Sequence, residues 1–329
     1  MDKLTGVSVI ICCFNSARRL PRTLASLARQ QVKSNLAWEV IVVDNNSNDG
    51  TAKVAQALWS NANNPPLHIY TEPTAGLIHA RMCGLKSALY DVIIFCDDDN
   101  WLDETYIEKA LSLMAANPKI GAIGGCGIPH FDGREPSWFN RFKSFYAVGA
   151  QQSHGIESQA QYQYLYGAGI VLRKSAMLEL YASGFKHLAT GRQGKRLLSG
   201  EDIELVIGLQ MLAYQVVYSP TLTFTHFIEA KRLTWKYLTS LLFNVGYSAE
   251  LLTRFRDQNT LTFPYPNYSS LWRETKALMK AVVVALLPFR KYEAFPVKVA
   301  ILFYRFGALS FHLKNQHRFK ERMQPVAIL

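Results

Sequence analysis

The feature that most constrains this chain is a repeated unit in which a buried-strand pattern runs straight into polar or acidic residues. Residues 7–13 (VSVIICC), 38–43 (WEVIVV) and 92–96 (VIIFC) are almost continuously apolar and rich in β-branched types. Continuous rather than alternating apolarity suits strands covered on both faces. After the first, Ser16 is placed to cap a helix carrying Leu20, Leu24 and Leu27, with Pro21 admissible only in its opening turns. After the second, DNNSNDG leads into a helix with Val54, Leu58 and Trp59. A strand near 68–71, helices near 78–89 and 104–116, and a strand near 120–124 continue the alternation. Such alternation predicts an α/β fold, a doubly wound and mostly parallel sheet flanked by helices.

From about 125 to 165 the pattern weakens into a Gly-, Gln- and aromatic-rich stretch too long for a plain connector, which reads as substrate-facing. Ile170 to Leu172 then resumes as a strand and Lys174 to Ala182 as a helix. Residues 186–200 read as a flexible basic loop before a helix that starts at Glu201. Past residue 230 the texture changes to basic helices interrupted by Pro264, Pro266, Pro288 and Pro296. This predicts two regions, 1–229 and 230–329.

Charge divides at the same place. The first 229 residues balance 20 Lys and Arg against 20 Asp and Glu, whereas the last hundred hold 16 against 5. A tail so lopsided faces an anionic partner, nucleic acid or a membrane surface. In its last long helix Lys298, Arg305 and His312 recur every seven residues, a narrow polar stripe on an otherwise apolar cylinder. Such a helix either packs on the rest of the protein or lies in a bilayer interface with its basic groups at anionic headgroups. The basic residues are interleaved with aliphatic runs rather than gathered on a polar face, which favours the membrane over nucleic acid.

The remaining composition bounds the setting. With 49% hydrophobic and 19% charged residues, disorder is excluded. Five cysteines form no C-x-x-C pair, which argues against a disulfide framework or zinc ribbon and fits a reducing cytosol. The N-terminal MDKLTGVSVIICCF reads as a first strand rather than a cleaved leader. No uncharged apolar run reaches the ~18 residues of a spanning helix, so the expectation is a soluble or peripheral protein on the cytoplasmic side.

The chemistry-bearing residues sit where the strands stop. Asp97, Asp98 and Asp99 directly follow VIIFC, at the carboxyl end where open α/β sheets bind ligands. Three adjacent carboxylates are costly without a cation. Alternation along an extended segment sends Asp97 and Asp99 one way and Asp98 the other, giving oxygen ligands suited to Mg²⁺ or Mn²⁺. Asp44 ends the second strand, beside Phe14 and Asn15 at the exit of the first, which suggests a base pocket with an aromatic platform and a carboxylate acceptor. No glycine lies between Gly6 and Gly50, and GRQGK at 191–195 has the wrong spacing for a P-loop, so phosphate binding must lean on metal. Gly200-Glu201-Asp202 opens a helix; carboxylates there either compensate the helix dipole or act on a substrate. His226, in TFTHF, is either a core histidine or a ligand.

In order along residues 7 to about 240, strand-Asp44, GLIHARMCGLKSA, strand-Asp97-Asp98-Asp99, GAG at 167–169, Gly200-Glu201-Asp202 and His226 resemble glycosyltransferase family 2, with its GT-A fold. The resemblance implies a nucleotide-sugar donor, with UDP favoured by family habit, and nucleotide contacts from Cys12, Phe14, Asn15, Asp44, Arg81, Asp97 and Asp98. It implies a divalent ion, Mg²⁺ or Mn²⁺, on Asp99 with His226 as a further ligand or phosphate contact. Asp202 would be the catalytic base, with Glu201 orienting the acceptor or a loop. The acceptor would be a hydroxyl of a glycan or lipid-linked sugar, attacked with inversion. Two departures stand out: Cys12-Cys13 replaces the usual Pro-Thr, and the Gln-x-x-Arg-Trp of processive synthases is missing, Gln193 to Leu197 preceding Glu201 and lacking Trp. One sugar per encounter is therefore expected. A nucleic-acid-binding protein and a metal-dependent nucleotidyl or phosphoryl transferase are the competing classes.

Overall fold

Four strands, β1 (Gly6–Cys13), β2 (Ala37–Asp44), β3 (Leu67–Thr71) and β4 (Val92–Asp97), lie parallel in the order β3-β2-β1-β4. The computed structural model describes residues 6–61, 63–151, 164–187, 191, 200–256, 275–279 and 294–315. Expectations for 152–163, for most of 186–200 including Gln193 to Leu197, and for Pro264, Pro266 and Pro288 lie outside the described residues. So do the side chains of Lys298 and His312.

The apolar runs are continuous because both faces of this half-sheet are covered. Val7, Val9 and Ile11 share a core with residues of α1 (Leu20–Ala28), α2 (Thr51–Leu58) and α4 (Tyr106–Ala116). Ile10, Ile41 and Phe95 point the other way, against α3 (Leu77–Ser87), α6 (Lys174–Ala182) and α7 (Glu201–Met211). Burying an aliphatic side chain of this size stabilises by roughly 1.5–3 kcal/mol, so these strand ends are rigid supports for whatever they carry.

The second half of the sheet is mixed. β7 (Ile170–Arg173) runs antiparallel to β4 and to β6 (Ile120–Phe131); β6 runs parallel to β8 (Gln215–Ile228); β5 (Asn100–Leu102) runs antiparallel to β8. The full order is β3-β2-β1-β4-β7-β6-β8-β5. β5 follows β4 by two residues in sequence yet pairs at the far edge, with Asn100 opposite His226. The Asp98-Asp99 turn thus crosses the end of the sheet and meets β8.

Several expectations change in detail. β6 outruns 120–124 by seven residues because its second part is half-exposed, with register shifts at Ile120/Ala122 and Gly124/Cys126, so apolar density drops while pairing continues. Ser16 does not cap α1 with its side chain. Its hydroxyl accepts from Phe14 N and donates to Asp98. Leu58 is 50% exposed, and Trp59 anchors that helix end instead, donating from Nε1 to Pro65 O at 2.8 Å.

A third core joins the region past residue 230 to the rest. Leu238, Leu241 and Leu242 of α8 (Trp235–Arg256) pack with Trp138, Phe139 and Phe142, the last two on the short α5 (Phe139–Phe142). A last helix, α9 (Ala294–Asn315), crosses α8 in backbone contact, Gly246 facing Tyr304 and Gly307 facing Phe243. Ala308 and Phe311 are buried, whereas Phe303, Phe306 and Leu313 are exposed. Among the described residues no helix is long and apolar enough to cross a membrane.

Candidate active site

The carboxyl ends of β2, β1 and β4 lie side by side. Cys13 is in register with Asp44 and Cys12 with Asp97. Asp44 accepts from Ser47 N at 3.1 Å, closing the polar turn. Asn45 locks that turn to the next crossover: it donates to Glu72 O and Thr74 O and accepts from Gly76 N. Asn15, with φ of 50°, donates its N–H to Ser47 Oγ and accepts from Asn48 N. The Phe14 ring is left 46% exposed above these ends. Burial pushes the Cys12 thiol up to about 12 even though nearby Arg81 opposes the shift, so it is a neutral wall rather than a nucleophile.

The three aspartates have separate fates. Asp98, expected at the nucleotide, is held by Arg19, which donates to both of its oxygens (Nε to Oδ1 at 3.2 Å, Nη2 to Oδ2 at 2.7 Å), and Ser16 donates to Oδ2. Its backbone carbonyl accepts from Thr23 Oγ1 at 2.8 Å. Burial first, then the neighbouring Asp99 charge, raise the Asp98 carboxyl above its ordinary value against the pull of Arg19. Asp97 lies within electrostatic reach of Arg81. Asp99 faces β8: its Oδ2 is 3.5 Å from His226 Nε2 and accepts from Arg232 Nη1 at 3.1 Å.

Arg232 is a cation the sequence reading missed. Its guanidinium is buried beside the rings of Tyr146 and Tyr237, 5.8 and 5.6 Å from their centres. Nη1 also lies 3.2 Å from His226 Nε2. Among the described residues, buried His226 Nδ1 and Arg232 Nε have no hydrogen-bond partner. The available signal was the spacing from His226: the end of a strand plus one tight turn folds the basic residue back on the histidine.

Opposite the aspartate turn stands the head of α7. Gly200, at φ of 118°, supplies a left-handed entry that side chains rarely adopt. Asp202 Oδ2 accepts from Gly167 N at 2.6 Å and its Oδ1 from Ile203 N at 2.9 Å. A Cβ on Gly167 would come within 2.5 Å of Arg81 Nη2 and 3.2 Å of Asp202 Oδ2, so only glycine fits there undisturbed. Arg81 is the hub: it stacks on Phe95 at 5.1 Å and approaches Glu201 Oε1 at 3.8 Å. Burial alone would lower its pKa, but the charges of Glu201, Asp97 and Asp202 outweigh that and raise it. The carboxylates expected for donor binding and for base chemistry therefore converge on one buried guanidinium.

A profile described as Glycosyl transferase family 2 matches residues 8–180, more than half the chain. The chain belongs to glycosyltransferase family 2. This family 2 enzyme is 24% identical over 249 residues to a glucosyl-dolichyl phosphate glucuronosyltransferase of Haloferax volcanii, covering 75% of this chain and 77% of the relative. It is also 24% identical over 125 residues to the poly-β-1,6-N-acetyl-D-glucosamine synthase of Staphylococcus aureus, 38% of this chain but 29% of that one. In fold it is similar to a mannosyltransferase from Pyrobaculum calidifontis solved with GDP-Man and Mn²⁺, at a TM-score of 0.58 and 16% identity, covering 94% of this chain and 88% of that one. The sheet is thus of the GT-A type.

Whether the family 2 site suits a divalent ion can be tested on its donors. Asp99 Oδ2 and His226 Nε2, 3.5 Å apart, can both reach one ion at the ~2.1 Å of a hard cation, leaving positions for diphosphate oxygens. Among the described residues no third His, Cys, Asp or Glu joins them. The pair supplies two donors of the right kind, and Arg232 Nη1 lies 3.1 and 3.2 Å from them.

Proposed function

We propose that this enzyme is an inverting, metal-dependent, non-processive transferase. It moves one sugar from a nucleoside diphosphate sugar, UDP-linked by preference, to a hydroxyl of a glycan or lipid-linked acceptor in glycoconjugate or polysaccharide synthesis. The observation that supports this most is the Arg81 network, in which one buried cation answers both the Asp97 strand end and the Glu201 and Asp202 helix head.

In this reading Phe14, Cys12, Asn15 and Asp44 border the base, and Arg81 and Asp97 the ribose and phosphates. Asp98 contributes through Arg19, holding the turn. Asp99 and His226 would hold a divalent ion, which when bound would offset charge on the leaving diphosphate. Arg232, released from Asp99, adds a guanidinium toward the same phosphates. Asp202 takes the proton of the acceptor hydroxyl as its oxygen bonds to the anomeric carbon. The bond from that carbon to the diphosphate breaks, its electron pair leaving with the phosphate oxygen, and the single displacement inverts the centre. Gly167 and Ile203 N–H groups fix the carboxylate for this role, and Glu201 keeps Arg81 beside it.

Residues 1–229 form the transferase region, to which Arg232 folds back, and the rest of 230–329 serves as a docking extension for the cytoplasmic membrane face. The basic excess of that extension and the exposed Phe303, Phe306 and Leu313 support docking. The name of the Haloferax relative supports a lipid-linked acceptor.

The test is mass analysis of products formed with UDP- and GDP-sugars, with and without Mn²⁺ or Mg²⁺, alongside Asp202→Asn. Full turnover by that variant, or turnover unchanged by chelation, rejects the mechanism. Flotation with anionic vesicles tests docking: Phe303→Ser with Phe306→Ser is expected to leave the vesicle fraction, and undiminished flotation rejects the membrane assignment.

A further inference from the structure

The ribbon that presents His226 to Asp99 has a second face. Side chains alternate along β8, so Phe227 points away from His226. On that reverse face Phe227 meets Trp101 of β5 and His130 of β6. The Trp101 and Phe227 rings are stacked at 5.7 Å and 21°, and His130 lies 4.9 Å from Trp101. The start of α1 lays arginines over this strip: the Arg22 guanidinium carbon is 5.2 Å from the Trp101 ring centre. Together with Arg18 and with Asp132 at the end of β6, these groups line a cavity of about 290 Å³.

Three observations say what such a cavity takes. Arg19, at its inner wall, is already committed to Asp98 and lies 4.0 Å from Glu229. Among the described residues, Arg18 and Arg22 make no ion pair, so two guanidinium groups face the cavity with charge to share. The floor is a half-exposed cluster of three aromatic rings, which favours a ligand with an apolar ring face over a bare ion. The volume sits at the lower limit of ligand pockets, ~300 Å³, enough for one sugar ring and too small for a nucleotide sugar.

We propose that this reverse-face pocket binds a single sugar residue carrying a carboxylate or phosphate. Its ring packs against the Trp101, Phe227 and His130 cluster, its anionic group meets Arg18 and Arg22, and Asp132 accepts from a hydroxyl. Guanidinium groups recognise both anions through paired hydrogen bonds. The proposal is independent of the donor-site roles, since it concerns binding alone and uses none of those residues.

The experiment is fluorine NMR of the full-length chain labelled with 5-fluorotryptophan, the Trp101 signal assigned by its loss in Trp101→Phe. Glucuronate, glucose 6-phosphate, glucose and inorganic phosphate are titrated separately, without nucleotide or metal. The Trp101 signal is expected to shift with glucuronate or glucose 6-phosphate, to saturate at about 1–10 mM, and to need roughly tenfold more in Arg22→Gln. Whichever of the two shifts it more tightly identifies the anion. Saturating UDP with Mn²⁺ is expected to leave the titration unchanged. No shift with either anionic sugar overturns the proposal. An equal response to glucose overturns the anion contact, and an equal response to inorganic phosphate overturns the sugar contact.

Discussion

Strands β1, β2 and β4 stop at the cleft as rods buried on both sides, each delivering one or two polar groups at a fixed height. β6 and β8 instead run on for 12 and 14 residues, β6 opening to solvent past its midpoint and β8 alternating between buried and partly exposed residues, and bring His226 and then Arg232 in from the flank. The first arrangement positions by packing. The second positions by hydrogen bonds and charge: Asn100 opposite His226, and Arg232 between His226 and Asp99. A rod is hard to displace, whereas a charged contact can exchange partners, which would suit the metal and diphosphate proposed for this wall.

The largest effect that would sharpen this contrast lies at α7. Asp202→Asn is expected to lower turnover by roughly 10³-fold with the melting temperature unchanged, as for loss of a general base. A variant that melts early would mean that the carboxylate is structural. Next come the neighbours Asp98 and Asp99. Asp99→Asn should lose about 10²-fold in turnover, with the melting temperature little changed. Asp98→Asn should do the reverse, lowering the melting temperature by roughly 3–8 °C as Arg19 loses a partly buried partner. If the two variants behave alike, the division between anchored and cleft-facing carboxylates fails.

Smaller effects probe the hub and the flank. Gly167→Ala should displace Arg81 and Asp202 and lower kcat/KM by about 10–100-fold, through misplacement rather than lost chemistry. Arg232→Met should weaken UDP or GDP binding about tenfold by calorimetry while leaving nucleoside binding intact, a charged hydrogen bond contributing ~1.5–3 kcal/mol. Equal weakening of both would make Arg232 a packing residue only. Last, Cys12, with its thiol held near 12, should resist iodoacetamide from about pH 7 to pH 9 in the folded chain. Rapid alkylation would show the first strand's exit to be open.

The same contrast explains what could be read in the chain beforehand. β1, β2 and β4 were legible because burial on both faces leaves an unbroken apolar run, and Asp44, Asp97 and the aspartate turn were legible because they interrupt it. β8 was not, since its half-exposed alternation from Gln215 to Ile228 mixes Thr, Ser and Tyr with apolar residues. Arg19 and Arg232 were invisible as partners of Asp98 and Asp99 because each pair is made by tertiary folding across 79 and 133 residues. Asp98 and Asp99 form a turn rather than a continued extended strand, so alternation alone did not give their directions.

Three identical residues in a row carry no information about which of them should enter the cleft. A slip of one position would keep a carboxylate at two of the three places, so composition only weakly chooses the reading frame of this turn. Here the choice falls to Arg19, a residue on another element that grips the middle member and thereby hands its two neighbours outward. Moving that arginine one step, from just before α1 into its first position, is the mutation that would make the turn ambiguous without changing any aspartate.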